Sequence, residues 1–359
     1  MLEQIQSAIA ARDYENAELL LKQLEEQDKE NPWISYYQGR LLEAKGDNNA
    51  ATAKYRQLLQ NTEVPKIISS ARQGIERIAK IDREKKQAEI DRALAEPENQ
   101  LMGVLILEPI PSEAKQAAAK QFAKIMNLDP YTARMQLPSR AWRLYRTGKI
   151  GELKLQVKAL QQAKIPCFCQ GIDLVDRIAV YQVDYFEAIE PKVKIIARDR
   201  DKKVETIDFH WHDIARRVDG LLPLFEESLH TDSHGKHYRK TETLDYVHIC
   251  DLHLKSKPII LRLCDLNYQF RSGIDFIKND VIQSTNRENW NNLAAFLKEK
   301  LPTIKIRDDF SKFAETAIDK ADLLLGIKPR INILRRQESL WDNAFEIYSG
   351  LIFLKNTAS

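Results

Sequence analysis

An internal repeat near the start of the chain, with a period of about 34 residues, constrains its fold more than any other feature. When the sequence is aligned with itself at this offset, three pairs of identical residues superpose: Asp13 and Asp47, Ala17 and Ala51, and Leu24 and Leu58. A period of this length is typical of two-helix units, each of which buries its apolar face against its neighbours. Prolines at positions 32 and 65 end the two blocks, because proline does not continue a helix interior. The sequence therefore predicts two stacked helical hairpins.

Part of the second block resembles the tetratricopeptide repeat (TPR). The residues that carry the resemblance are Gly39, Gly46, Ala51 and Tyr55. They occupy the positions where that motif places a small residue, a turn glycine, an alanine and an aromatic residue. The first block matches less well, with Ile5 where the family prefers glycine. Residues 66–96 have the spacing of one long charged helix that would cap the stack. We therefore expect a TPR-like module with a capping helix over residues 1–96.

The same resemblance indicates a binding surface, because the first helix of each tetratricopeptide unit lines the concave face of the stack. Trp33, Tyr36, Arg40 and Glu43 are spaced by three and four residues, so they share one face of that helix. Aromatic and arginine side chains are frequent anchors of protein interfaces. These four residues are the candidate partner-binding site, and the implied partner is another protein or a peptide segment. The alternative is that Trp33 and Tyr36 only pack against neighbouring helices.

After a linker at residues 96–100 the pattern changes, and residues 101–178 alternate in the order β-α-α-β-α-β. The runs GVLILEPI, EAKQAAAKQFAKIMNLDPYTARMQLP and GELKLQVKALQQAKIPCF resemble the C-terminal domain of ribosomal protein L7/L12 and the related ClpS-type adaptor fold. That resemblance implies a protein-binding module without chemistry of its own. The combination of modules also resembles repeat-containing proteins of bacteria.

Strands dominate the next predicted domain, residues 179–302. Runs with the alternation and β-branched content of strands lie at 181–188, 192–198, 204–212, 245–254 and 258–270. A helix at 289–301 would close them, an arrangement similar to a pleckstrin-homology-like (PH-like) barrel. The last predicted domain is a helical tail, residues 303–359. The predicted fold class is a multidomain α+β protein, with helical hairpins, a β-α-α-β-α-β middle domain, and an antiparallel β-rich domain followed by C-terminal helices.

All seven histidines lie between His210 and His253, with Cys250 among them. Imidazole and thiolate are the usual zinc ligands. Alternation would place His210 and His212 outside one strand, and His248 and Cys250 outside another, so four ligands would converge if the strands were neighbours. The spacing matches no finger, ribbon or H-E-x-x-H pattern. We therefore assign no metal, and keep a zinc-dependent enzyme or zinc-stabilised regulator as an alternative.

The sequence contains no set of residues that predicts catalysis. It holds no G-x-G-x-x-G, P-loop or G-x-S-x-G motif, and its carboxylates are scattered over charged helices. The pair Cys167 and Cys169 is more typical of small buried side chains than of a redox site. We therefore predict a protein that is not an enzyme and that needs no cofactor.

A second alternative is an RNA-binding regulator. The run RAWRLYRTGK at 140–149 interleaves basic and aromatic residues, a pattern that binds phosphate backbones and stacks bases. However, the chain has 55 Lys and Arg against 52 Asp and Glu, a net charge of only +3. Such a balance gives no broad basic field, so an edge strand with solvated basic side chains is the simpler interpretation, and nucleic acid is not the expected partner.

The N-terminal sequence lacks the basic start and apolar core of a signal peptide, and the apolar runs stay below the ~18 residues that span a bilayer. Four cysteines in 359 residues do not form a disulfide framework. We therefore expect a cytoplasmic location without membrane insertion. The leading hypothesis is a cytoplasmic, non-enzymatic adaptor or scaffold that holds a partner protein in a TPR groove.

Overall fold

The computed structural model describes residues 1–231, 235, 237–276, 285–333, 335 and 339–357. The chain divides into two compact units, Met1–Arg92 and Ala93–Ser359. Helices form the N-terminal part, and strands are concentrated in the C-terminal half. The predicted mixture of α-helix and β-strand is therefore confirmed.

The first unit consists of helical hairpins and one long helix. Its elements are α1 (Leu2–Ala10), α2 (Tyr14–Gln27), α3 (Pro32–Ala44), α4 (Asn48–Asn61) and α5 (Pro65–Ala93). The repeated aspartates start the second helix of each pair, because the side chain of Asp13 accepts a hydrogen bond from the Asn16 N–H and that of Asp47 from the Ala50 N–H. The two hairpins and the long helix therefore follow the pattern predicted from the period.

Tyr55 of α4 occupies the centre of the contact between α3, α4 and α5, and it has no exposed surface. Its ring lies against Gly39 on one side and Gly74 on the other. A Cβ atom built on either glycine would lie 2.6 Å from a ring carbon, closer than real Cβ contacts come. The two glycines therefore allow α3 and α5 to approach opposite edges of one aromatic ring.

The second unit begins with a three-stranded antiparallel sheet, as assigned in the described residues. Its strands are β1 (Met102–Leu107), β2 (Arg143–Lys149) and β3 (Cys167–Gly171), in the order β2-β1-β3. The helices that accompany them are α6 (Ser112–Met126), α7 (Pro130–Gln136), α8 (Ile150–Gln162) and α9 (Ile172–Asp176). The element order from β1 to β3 is β-α-α-β-α-β, which confirms the order predicted for residues 101–178.

A seven-stranded sheet follows in the described part of the chain, with the strand order β10-β7-β8-β9-β4-β5-β6. Its strands are β4 (Ala179–Ala188), β5 (Val193–Arg198), β6 (Val204–Phe209), β7 (Ile214–Thr231), β8 (His237–Leu254), β9 (Ile259–Cys264) and β10 (Ile306–Arg307). The pairs β4–β9 and β7–β10 are parallel, and the other pairs are antiparallel.

Both faces of the seven-stranded sheet are covered by helices. One face packs against α10 (Asn286–Lys300) through Trp290, Leu293 and Leu297. The other face packs against α11 (Phe310–Ala317), α12 (Ala321–Leu325) and α13 (Leu340–Thr357). This second core also includes Val104 and Trp142. The three segments predicted as separate domains after residue 100, namely 101–178, 179–302 and 303–359, therefore all contribute to it. Among the described residues, the helices are too short or too polar to cross a membrane.

The largest departure from the sequence prediction is the β7–β8 hairpin. The polar run SLHTDSHGKHYRK, residues 228–240, is typical of an exposed loop, but Ser228–Lys240 and His230–Tyr238 are cross-strand pairs within it. Its hydrophobic residues do not alternate regularly, and Pro223 lies inside β7. A long antiparallel ladder with β8, interrupted by two register shifts, stabilises this strand, and that pairing leaves no local signal in the sequence.

Candidate partner-binding face and charged sites

Trp33, Tyr36, Arg40 and Glu43 all lie on α3, as predicted. Trp33 and Tyr36 are half-buried, and their rings meet edge to face with centroids 5.5 Å apart. Both rings pack against the apolar cluster shared by α1, α2 and α3 and against the cluster shared by α4 and α5. The two aromatic residues therefore pack against their neighbours and still keep accessible surface, and their contact with a partner stays a prediction.

Glu43 is bound by side chains of its own unit. Arg77 of α5 donates two hydrogen bonds to its carboxylate, at 3.0 and 3.1 Å, and the Tyr55 hydroxyl donates a third at 2.8 Å. Arg40 Nη1 lies 3.4 Å from Oε2 of the same carboxylate. Only 11% of the Glu43 side chain is exposed. Glu43 thus joins α3 to α4 and α5, and its contact with a partner remains a prediction.

These contacts determine how Glu43 titrates. Burial raises the pKa of Glu43, but hydrogen bonds from Arg77 and Tyr55 and the charges of Arg77 and Arg40 outweigh it and hold the pKa below its usual 4.5. A carboxylate with a lowered folded-state pKa stabilises the fold above its unfolded pKa, and this stabilisation is lost as the pH falls through the folded pKa.

We therefore expect Glu43→Gln to destabilise the first unit near neutral pH, and the difference from wild type to shrink in acid. Hydrogen exchange of peptides from residues 1–92, measured at about pH 7 and about pH 3, would report the two differences. Glu76→Gln, on the exposed surface of α5, is the control. A difference between Glu43→Gln and wild type that stays constant across this pH range would contradict the assignment.

Two cations of α5 lie beside the predicted residues and were not identified from the sequence. Lys66 Nζ lies 5.9 Å from the centre of the Trp33 ring, and 40% of the Arg77 side chain is exposed. Their separation of eleven positions is close to three whole helical turns, so Lys66 and Arg77 share one side of α5. The signal that could have identified Arg77 is the repeat period, because Arg77 follows Glu43 by the same number of positions as Asp47 follows Asp13. We define the α3–α5 face as Trp33, Tyr36, Arg40, Lys66 and Arg77.

The histidines do not converge in the way that the zinc alternative requires. β6 and β8 are not neighbours in the sheet, because β9, β4 and β5 lie between them in the strand order. His210 and His212 instead stack on each other, with ring centroids 5.0 Å apart. Among the described residues, which do not include His234, the structure holds no group of three or more His, Cys, Asp or Glu arranged to bind a metal ion.

Two further details of the predicted histidine-bearing strands were wrong. β6 ends at Phe209, and His210 begins a short 3₁₀ turn instead of continuing the strand to 212. Cys250 was expected on an outer face, but it is 1% exposed. The reason is that helix α10 covers that face of β8, so Cys250 joins the core around Trp290. Burial raises the pKa of the Cys250 thiol well above its usual value.

A buried ion network lies at the centre of the second unit. Arg262 of β9 donates hydrogen bonds to both carboxylate oxygens of Asp251 on β8, at 2.8 and 2.7 Å, and to Glu346 of α13 at 2.6 Å. Arg330 donates a further bond to Glu346 at 2.7 Å. Burial raises the pKa of Glu346, but Arg262 and Arg330 outweigh it and lower that pKa. The network therefore ties β8, β9 and α13 together.

A serine, a histidine and an aspartate meet beside this network, but in a different order from a catalytic triad. Ser349 Oγ donates to Asp251 and lies 3.0 Å from His253 Nε2, so the serine bridges the other two residues. In a triad the histidine occupies the middle position and takes the serine proton. Burial lowers the pKa of His253 to about 3, so the ring is neutral near pH 7. This set therefore acts as a packed polar contact within the core.

The basic and aromatic run at 140–149 supplies β2, an edge strand of the three-stranded sheet. Trp142 is 5% exposed, and the Tyr145 ring packs edge to face on Phe122 at 5.1 Å. Both rings are therefore engaged in the protein interior, and stacking of nucleic-acid bases would require them to move.

Pockets of the second unit carry excess positive charge, among them one beside β4 and one beside Trp142. The larger, about 530 Å³, lies beside β4 and the β5–β6 turn and includes Arg198, Arg200 and Lys328. The smaller, about 290 Å³, lies beside Trp142. In the larger pocket Arg198 is already paired with Asp184, at 2.9 Å.

Cationic and aromatic side chains thus meet at the α3–α5 face of the first unit and at the pocket beside Trp142 in the second. Both arrangements are typical of binding surfaces. In comparisons with known proteins, the chain matches no protein-family model and no curated protein.

Proposed function

We propose that this protein is a non-enzymatic adaptor that holds a segment of another protein on the α3–α5 face. The observation that carries the proposal is the combination of accessible aromatic surface on Trp33 and Tyr36 with the cations of Arg40, Lys66 and Arg77. The two helical hairpins and the first part of α5 support a TPR-like arrangement, in which α1, α3 and α5 line one groove.

The charges of this face favour an acidic partner segment. Glu43 is engaged by Arg77, Tyr55 and Arg40, so its carboxylate holds the two arginines in place while Lys66 stays over Trp33. Arginine presents a planar fork that matches a carboxylate, and lysine adds a point charge.

The length of the face also bounds the segment. Lys66 and Arg77 are eleven positions apart on α5, about 16 Å along the helix axis. An extended peptide of about five residues covers that distance. We therefore propose a short acidic segment that places an apolar side chain against Trp33 and Tyr36, where aromatic surface provides the anchor.

Capture experiments with matched charge variants test this proposal. We expect Arg40→Gln/Lys66→Gln to reduce recovery of the specific partner at least tenfold, because both changes remove cations from the face and leave the Arg77–Glu43 bridge intact. Lys54→Gln/Arg56→Gln changes the net charge equally on α4 and should retain the partner. Recovery from cell extract would be quantified by mass spectrometry for the full chain and both variants.

The captured protein must then bind directly through an acidic stretch. A synthetic peptide of that stretch should compete for capture, and a version with its Glu and Asp replaced by Gln and Asn should not. Equal recovery of the same proteins by wild type and Arg40→Gln/Lys66→Gln would show that the α3–α5 face is not the binding surface.

A further inference from the structure

A compact pocket in the second unit combines distant parts of the chain. It has a volume of about 290 Å³ and is lined by Glu108, Trp142, Arg216, Lys305, Arg307, Ile352 and Lys355. These residues come from the ends of β1 and β2, from β7, from β10 and the segment before it, and from α13. Because five parts of the fold meet there, the pocket exists only in the folded unit.

The lining of this pocket is much more positively charged, residue for residue, than the chain as a whole. Among its described lining residues, Arg216, Lys305, Arg307 and Lys355 are cationic, and Glu108 is the only carboxylate. The pocket therefore carries a formal charge of +3, the same as the whole chain of 359 residues. Like charges in a concave site repel one another, and the field that they focus attracts an anion.

Two of the cations lie over the ring of Trp142. The Arg307 guanidinium carbon lies 4.9 Å from the centre of the Trp142 ring, and Lys355 Nζ lies 5.3 Å from it. The Trp142 ring is itself buried and packs edge to face on Phe168 at 4.9 Å. These contacts hold positive charge at the pocket before any ligand arrives, which reduces the ordering that binding requires.

The carboxylates near the pocket leave part of its charge uncompensated. Glu108 pairs with Lys355, and Asp309 pairs with Arg307 at 3.3 Å. The Arg216 guanidinium donates a hydrogen bond to the backbone carbonyl of the preceding residue, Ala215, at 3.0 Å. Arg216 and Lys305 are exposed residues of the pocket lining, and their charges add to the positive potential.

We infer that this pocket binds the phosphate group of a small phosphorylated molecule. A phosphate monoester carries about −1.5 to −2 charges at pH 7 and offers three acceptor oxygens, which suits two arginines and two lysines better than a single carboxylate does. The volume is close to the lower end of the usual range for small-molecule sites, about 300 to 1,000 Å³. It therefore fits a phosphate on a short organic group, and the inference is independent of the α3–α5 face.

Direct titration of the full chain tests this inference. The probes are inorganic phosphate, glycerol 3-phosphate and a single-stranded RNA oligonucleotide, each followed by calorimetry at constant ionic strength. We expect saturable binding of the first two probes with one site per chain. Arg216→Gln/Lys305→Gln should weaken both at least tenfold, because it removes two of the four cations that line the pocket.

A matched variant separates this site from general charge effects. Lys298→Gln/Lys312→Gln changes the net charge by the same amount at exposed positions of α10 and α11, and should bind both phosphates within twofold of wild type. The inference is overturned if wild type does not bind the small phosphates, if both double variants lose affinity equally, or if only the RNA oligonucleotide binds.

Discussion

Replacing Arg262 with leucine is expected to destabilise the second unit by about 3–5 kcal/mol, because removal of one partner from a buried ion pair leaves uncompensated charge in the interior. Two buried carboxylates would lose this partner, Asp251 with 0% and Glu346 with 1% of the side chain exposed. Because Arg330 still pairs with Glu346, Asp251 is the carboxylate that would be left buried without an arginine. Since domains are stable by only about 5–15 kcal/mol, the loss approaches complete unfolding.

Urea unfolding of the full chain, with hydrogen exchange of peptides from residues 93–359, would measure this loss. Arg239→Leu is the matched control, because Arg239 pairs with Glu227 on the exposed hairpin and such pairs contribute about 0–1 kcal/mol. If Arg262→Leu does not fold, adding Asp251→Asn should restore part of the stability, because it removes the buried charge that has lost its arginine, while Glu346 keeps Arg330. Stability of Arg262→Leu within about 1 kcal/mol of wild type would refute the role of the network.

Alanine at Gly74 is expected to destabilise the first unit by about 2 kcal/mol, although alanine by itself favours a helix by about 1 kcal/mol over glycine. The new methyl group would lie 2.6 Å from Tyr55 Cε2 and 2.7 Å from Cζ. The ring cannot move away, because Gly39 is equally close on its other side. The helices α3 and α5 must therefore separate, and the Tyr55–Glu43 hydrogen bond lengthens with them.

Gln73→Ala is the natural comparison, since Gln73 is the exposed neighbour on the same helix and its replacement should change stability by less than about 0.5 kcal/mol. Hydrogen exchange of peptides from α3, α4 and α5 would report the difference while the second unit stays unchanged. Faster exchange confined to α5 would argue against a shared three-helix contact, and unchanged exchange would exclude the steric effect altogether.

Local signals predicted much of the helical part and some of the candidate site. The repeat period, the capping aspartates and the prolines at 32 and 65 depend on near neighbours, and the helices follow them. Spacing alone placed Trp33, Tyr36 and Arg40 along α3. It did not show that Glu43 is held by Arg77, because that bond depends on how two helices meet.

Long-range pairing explains what the sequence did not predict. Arg262, Asp251 and Glu346 lie on two strands and one helix, and Glu346 follows Arg262 by 84 positions. Similarly, the pocket beside Trp142 is assembled from residues between Glu108 and Lys355. Periodicity describes the environment of one element at a time, so it carries no information about which distant side chains come together.

The position of α13 near the end of the described chain sets an order for folding during synthesis on the ribosome. The contacts of α1 to α5 are close in sequence, so this region can fold as soon as it emerges. Asp251 and Arg262 lie on adjacent strands, but the contact of Arg262 with Glu346 forms only after α13 has been synthesised, 84 positions later. During that interval a charged, half-covered sheet is exposed to proteases and to association with other chains, and it is then that chaperones would be needed most.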